Sequence, residues 1–411
     1  MPIGVDDSPQ RLTANFVFLR FWVGQVATAL GNGVSQLAMP LLVLALTNSP
    51  AQAGFVAAAR TAPYLLLGLP AGALVDRLDR RILLIVCDAS RGLSMASIPI
   101  AWAFGILTFW QLIVVALIHG SAVTFSNLAQ TAALPRLVRR EQIPHAQALN
   151  VSSQGVAGLI GPGLGGLIIA MGSTTAEGAV LACVVETASY AISFVTLSSI
   201  RRPFQSARAT VARRMRDDIA EGLRYVWTDR PIRLLAIMNM LHRFCLGPVI
   251  VLSVVVFARE QLLADPAAIG IIVGSAGAGG LFGSIITPRL RRHLPVGWHM
   301  IGVIFAHGIG IGLVALSDSM VMTMAGMFFV GGAEAMTGIV QVSYRLATIP
   351  DGIQGRVNSV YRLGSFSAMT FGTTTAGLLL ENTGARVTLF IMAAYVISIA
   401  VGTALSEVRR L

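Results

Sequence analysis

Residues 68–81 read GLPAGALVDRLDRR. The stretch opens as apolar, membrane-grade sequence, with the small residues Gly68 and Gly72 four apart on one helix face. It closes on Asp76, Arg77, Asp79, Arg80 and Arg81. A helix leaving a bilayer carries its charge at that boundary, because ionised side chains are costly within the hydrocarbon. A weaker copy, GGLFGSIITPRLRR, stands at residues 279–292. Both the run of charge and its echo ask what the surrounding chain is.

The 411 residues are 55% hydrophobic and only 12% charged, against about 25% charged in soluble domains. Apolar runs long enough to cross a ~30 Å hydrocarbon core recur throughout. In lipid every backbone polar group must be paired internally, and runs of this length without alternation read as helices. The fold class is therefore all-α membrane protein. Twelve spans are expected, at about 16–46, 52–75, 82–102, 107–134, 146–171, 178–199, 232–258, 267–287, 297–316, 319–347, 357–380 and 387–406. The first apolar run is too long for a cleaved signal peptide.

All 30 basic residues are arginine. Without lysine there is no P-loop and no lysine Schiff base, so a pump with its own P-loop ATPase is excluded. The net charge of +11 is a topology signal rather than a nucleic-acid footprint. The connections RLDRR (77–81), RLVRR (136–140), the segment 201–233, RLRR (289–292) and the tail VRR (408–410) alternate with arginine-poor ones. Arginine-rich loops stay cytoplasmic, which places both termini inside a multi-pass cell-membrane protein facing an anionic leaflet. Cys87, Cys183 and Cys245 lie far apart in apolar runs and read as small hydrophobes. No metal-ligand cluster, nucleophile elbow or cofactor motif appears, so an enzyme and a cofactor are not expected.

The longest polar segment divides the chain into 1–200, a linker at 201–231 and 232–411. Within the linker, Ile219, Leu223, Val226 and Trp227 share one face of an amphipathic helix suited to a membrane surface. The flanking parts repeat. Gly68, Gly72, Asp76 and Arg80 match Gly279, Gly283, Thr287 and Arg291 at an offset of 211. Leu134-Pro135 matches Ile349-Pro350, and Gly165 and Gly172 match Gly377 and Gly384, at nearly the same offset. Duplicated halves with a ligand site between them are a common transporter plan.

With the loop Gly72, Asp76, Arg77, Arg80 and Arg81, twelve spans and a duplicated half, the sequence resembles the major facilitator superfamily over nearly its whole length. Span 5 adds GP-x-x-GG at Gly161, Pro162, Gly165 and Gly166, similar to the superfamily's antiporter motif, with Ala157 where a further glycine is usual. The segments ALPRLVRREQIPHAQALN and EGLRYVWTDRP are similar to the branch containing macrolide, tetracycline and enterobactin exporters. The resemblance implies two pseudo-symmetric six-helix bundles, working as a monomer, that export a mid-sized amphipathic small molecule against protons. Uptake of a nutrient by symport is the alternative. It also implies that Gly68–Arg81 latches onto the start of span 11 near Arg356–Ser359, with Asp76 as the contact. Pro162 would kink span 5 and bias the cavity toward export. The arginine usual in span 4 of related branches is absent.

Ionisable groups within spans are functional candidates. The resemblance lines the cavity with spans 1, 4, 7 and 10, so Glu334, Arg243 and His242 are expected to face one another there. Glu334 would carry the proton, and Arg243 would be its partner or a contact for an anionic group of the substrate. His119, Asn32 and Gln341 stand at cavity depth as weaker candidates. Glu186 and His307 are assigned to packing. Asp88 and Arg91 form an intrahelical pair, and Arg60 faces the outer vestibule.

Overall fold

The computed structural model describes residues 12, 15–201, 204 and 215–410, leaving aside the side chains of 69, 72, 73, 76, 215–219, 248, 351 and 410. The described chain is helical. Its helices are α1 Phe16–Thr47, α2 Pro50–Thr61, α3 Pro63–Arg77, α4 Arg80–Ala103, α5 Phe109–Leu137, α6 Ile143–Ala170 and α7 Thr175–Ser198. After the linker come α8 Met215–Thr228, α9 Arg230–Arg243, α10 Pro248–Glu260, α11 Pro266–Leu290, α12 Val296–Leu316, α13 Met320–Thr348, α14 Asp351–Thr383 and α15 Ala385–Leu405.

The starts of these helices follow from short polar signals. The side chains of Ser49, Thr108, Thr174, Asp229, Asp265 and Ser319 each accept a first-turn backbone N–H, satisfying donors that would otherwise face lipid or interface unpaired. Asp79 does the same for α4, accepting from Arg81 N at 2.8 Å and Ile82 N at 3.1 Å. One of the two acids in the opening stretch is thus a helix cap.

Nine helices among the described residues are long and apolar enough to cross a membrane. The other expected spans take three forms. Span 2 is the pair α2–α3, interrupted at Pro63. Span 7 is the pair α9–α10, interrupted at residues 244–247. Span 11 is the 33-residue α14. The break in span 7 has a local cause. Pro248 cannot donate to a preceding turn and disfavours helical geometry in its neighbour; that neighbour, Gly247, sits at φ +64, which glycine adopts without strain.

Large apolar side chains stay exposed along the spans, among them Leu66, Leu93, Trp110 and Val321. They form the surface a bilayer would cover. Inside, α1 packs on α6 and α7, and α4 packs on α5 and α7. In the second half α11 packs on α13, and α12 on α13 and α15. The halves meet chiefly at two helix pairs, α6 with α11 and α2 with α14, and also where α14 touches α3 and where α10 touches α1 and α2. The expected stripe of the linker helix α8 is divided between the protein and its surface. Val226 is buried in a cluster with Ile232, Val357 and Tyr361, while Leu223 and Trp227 are exposed. A Cβ at Gly222 would lie 2.8 Å from the Arg356 carbonyl oxygen, and Glu221 pairs with Arg356. The helix therefore docks on the start of α14. Ile219 lies outside the described side chains.

Candidate functional site

A cavity of about 460 Å³ opens between the halves. Gln25, Asn32 and Gln36 of α1, Arg60 of α2 and His119 of α5 stand on its first-half wall, and Val251 and Leu252 of α10 reach it from the second half. The volume falls within the range of roughly 300–1,000 Å³ that suits a drug-sized ligand.

Arg60 organises the polar wall. It lies ten residues into α2, about 15 Å along the axis, so it sits near the middle of a ~30 Å core. Its Nη2 donates to Asn32 Oδ1 at 3.1 Å and lies 2.9 Å from His119 Nε2. The same nitrogen is 4.0 Å from Glu186 Oε1. Tyr190, one turn from Glu186 on α7, places its hydroxyl 3.0 Å from Asn32 Oδ1 and 3.1 Å from Glu186 Oε1, within reach of donating to either acceptor. Beside it Arg91 stacks 4.7 Å from the Tyr190 ring centre and pairs with Asp88, which accepts from Ser193 Oγ at 2.6 Å. The expected Asp88–Arg91 pair is present. Together these side chains form one connected network through α1, α2, α4, α5 and α7.

This arrangement corrects two expectations. Arg60 lines the central cavity rather than an outer vestibule, because its backbone packs into α5. A Cβ at Gly120 would lie 2.2 Å from the Arg60 carbonyl oxygen. Glu186 is more than packing: it is fully buried, yet it stands in the network with Arg60 and Tyr190. The spacing of Glu186 and Tyr190, four apart in an apolar run, was the available signal for that role.

The second half keeps its polar groups apart. Arg243 Nη1 lies 3.3 Å from Glu334 Oε1, so those two candidates meet. His242 does not join them. Its Nε2 lies 2.9 Å from His307 Nδ1, because successive residues on α9 point about 100° apart and His242 faces α12. Gln341 accepts from Asn239, which in turn accepts from Ser365 Oγ at 2.6 Å. It bridges helices instead of lining the cavity. Glu334, Arg243, His242 and Gln341 are not among the described cavity-lining residues, whereas Asn32 and His119 are.

The opening stretch is placed as follows. The position of a Cβ on Gly68 lies 2.9 Å from the Tyr64 ring of its own helix. Tyr64 stacks on Phe366 of α14 at 3.9 Å between ring centres, and the Arg362 guanidinium lies over its ring at 5.2 Å. Arg80 donates to Ala132 O at 3.0 Å and Arg81 to Ser198 O at 2.8 Å, engaging carbonyls near the ends of α5 and α7. Arg77 is exposed. Gly72 and Asp76 lie on α3, but their side-chain positions fall outside the described ones, so the Asp76 contact does too.

The glycine motif of α6 builds the junction of three helices. A Cβ on Gly161 would stand 2.6 Å from Gly33 Cα of α1, and one on Gly165 2.7 Å from Val34 O. On the adjacent face a Cβ on Gly166 would lie 2.4 Å from Pro266 O, and one on Gly270 2.6 Å from Pro162 O. Gly161 and Gly165 thus seat α6 on α1, while Pro162 and Gly166 seat it on α11. Pro162 lies inside an unbroken α6.

The same side of the molecule carries a device the sequence did not reveal. Glu381, at the arginine-poor end of α14, accepts from Ser49 Oγ at 2.5 Å and Ala51 N at 2.9 Å. Below it Gly54 and Gly377 bring α2 and α14 into backbone contact. With the Gly166–Gly270 junction, these contacts join the halves on the arginine-poor side. The cavity residues Gln25, Gln130 and Gln154 lie in the arginine-rich halves of their helices.

A sequence model of the family described as transmembrane secretion effectors matches residues 8–411. Similar relatives include "Multidrug efflux pump Tap" of Mycolicibacterium fortuitum, 27% identical over 87% of this chain and 88% of its own length. "Macrolide efflux protein A" of Streptococcus pyogenes is 22% identical over 96% of this chain and 97% of its own. Among solved structures, a bacterial homologue of the iron transporter ferroportin in an inward-facing state superposes with a TM-score of 0.77. It shares 16% identity, and the match covers 96% of this chain and 99% of that one.

Proposed function

We propose, on the premise that this chain belongs to the transmembrane secretion effector family of the major facilitator superfamily, that it exports a mid-sized amphipathic molecule in exchange for protons. The observation that carries this reading is the drug-sized cavity between the halves, walled by the first half and by Val251 and Leu252 of the second. The names of the relatives, a multidrug and a macrolide efflux protein, agree with it.

In this reading the arginine-rich side is cytoplasmic, both termini lie there, and one chain is the working unit. The halves 1–200 and 232–411, joined by 201–231, rock about the cavity. Substrate enters from the arginine-rich side while Glu381 and the glycine junctions hold the other side shut. Residues 68–81 and the start of α14 close the inner side in the alternate state. Glu334 carries the proton. Its pairing with Arg243 is released when it is protonated, and re-formed when the proton leaves inward. Coupling comes from the different affinities of the two states for proton and substrate.

The test uses cells loaded with a fluorescent amphipathic dye. Expression should lower steady-state accumulation, an ionophore should cancel the effect, and Glu334→Gln should remove it at unchanged expression. Accumulation that rises with expression would replace export by uptake.

A further inference from the structure

Within the cavity the charges are of one sign. The described lining residues include Arg60, Arg91 and His119, and no aspartate or glutamate. Arg91 is committed elsewhere: it is buried, paired with Asp88 and hydrogen-bonded to Ser126 Oγ at 3.3 Å. Arg60 is not. Its side chain keeps 29% of its surface accessible, and its contacts with Asn32, His119 and Glu186 all run through Nη2. Nη1 and Nε have no protein partner among the described residues.

We infer that Arg60 anchors an anionic group, so the cavity selects amphipathic molecules bearing a carboxylate, sulfonate or phenolate over cationic ones of the same shape. This rests on the cavity being the substrate site. A guanidinium presents its donors as a planar fork that fits a carboxylate through two parallel hydrogen bonds. Glu186 balances the arginine from behind. Its carboxylate has no exposed surface, so it supports the buried cation without offering a ligand a negative contact. A ligand approaching from the cavity meets the guanidinium first. Exposed amides such as Gln36 and the apolar walls at Met39, Val56 and Leu252 accept the rest of the molecule.

The experiment measures binding without transport. Full-length protein in phosphatidylcholine nanodiscs is titrated with fluorescein, an anion, and with the cationic xanthene tetramethylrhodamine methyl ester, each corrected against empty discs. Fluorescein should bind the tighter of the two. Arg60→Gln should weaken fluorescein roughly tenfold or more, as expected for losing hydrogen bonds between charged groups, and leave the cation no weaker. Gln36→Glu, a nearly isosteric change on the exposed cavity wall, should shift preference the same way and serves if Arg60→Gln does not fold. Tighter binding of the cation to the unaltered protein, absence of fluorescein binding, or unchanged fluorescein affinity in both variants overturns the inference. Cation preference alongside active export would sink this inference alone. Anion binding with no export would sink the function proposed above instead.

Discussion

The two halves handle buried polarity in opposite ways. In the first, Arg60, Asn32, His119, Glu186, Tyr190, Arg91 and Asp88 form one network spread over five helices, and four of the seven touch the cavity. In the second, the polar groups resolve into separate pairs: Arg243 with Glu334, His242 with His307, and Asn239 with Gln341. Asp88 and Arg91 are nearly inaccessible, whereas Glu334 keeps 37% of its side-chain surface. The Asp88–Arg91 end of the network is enclosed and has few alternative partners, while Arg60 keeps one side open to the cavity. The Arg243–Glu334 pair is half-exposed and stands outside the described cavity lining. The two halves thus differ in how their polar side chains are joined, by one network in the first and by separate pairs in the second.

The largest expected effect tests that difference through stability. Asp88→Ala leaves the Arg91 guanidinium buried without its counter-charge, and removing one member of such a pair costs about 3–5 kcal/mol. Glu334→Ala breaks a pair that is only partly enclosed and should cost less, below about 1 kcal/mol. Thermal unfolding of the purified variants, followed by tryptophan fluorescence, separates the two. Equal losses would erase the contrast between the two pairs.

A smaller effect is expected where the halves meet their neighbours through glycine. Gly161→Ala places a methyl 2.6 Å from the Gly33 backbone, and overpacking of this kind costs about 1–3 kcal/mol. Gly163→Ala, two residues on, meets nothing within 4 Å and should be neutral. Dye export at matched expression reads both. A harmless Gly161→Ala would show that the α1–α6 junction tolerates separation.

The smallest effect concerns the arginine-poor seal. Glu381→Gln leaves the Ser49 cap of α2 in place and weakens the two hydrogen bonds to the carboxylate, worth about 0.5–1 kcal/mol at this exposed site. That bias should raise the rate at which a bulky impermeant maleimide, applied from the arginine-poor side, labels Ala57→Cys on the cavity wall. Unchanged labelling would leave the glycine contacts as the whole of the seal.

Much of this molecule is written locally. Apolar runs too long for anything but membrane helices, Ser, Thr and Asp caps, and arginine-rich loops are properties of neighbouring residues, so span positions follow from short-range chemistry; the break at Gly247-Pro248 has an equally local cause, although span 232–258 is expected from the sequence to be continuous. The repeat and the GP-x-x-GG motif were equally legible, and the motif's glycines stand where α1, α6 and α11 converge. What no local pattern could decide was rotation about each helix axis. A turn of about 100° per residue separates His242, which faces His307, from Arg243, which faces Glu334. The same freedom placed Arg60 and Glu186, set in helices α2 and α7, against one another beside the cavity. Tertiary packing fixed those rotations, because glycines such as Gly120 and Gly161 admit a neighbouring backbone on one face only. The polar network could form only after the helices had met.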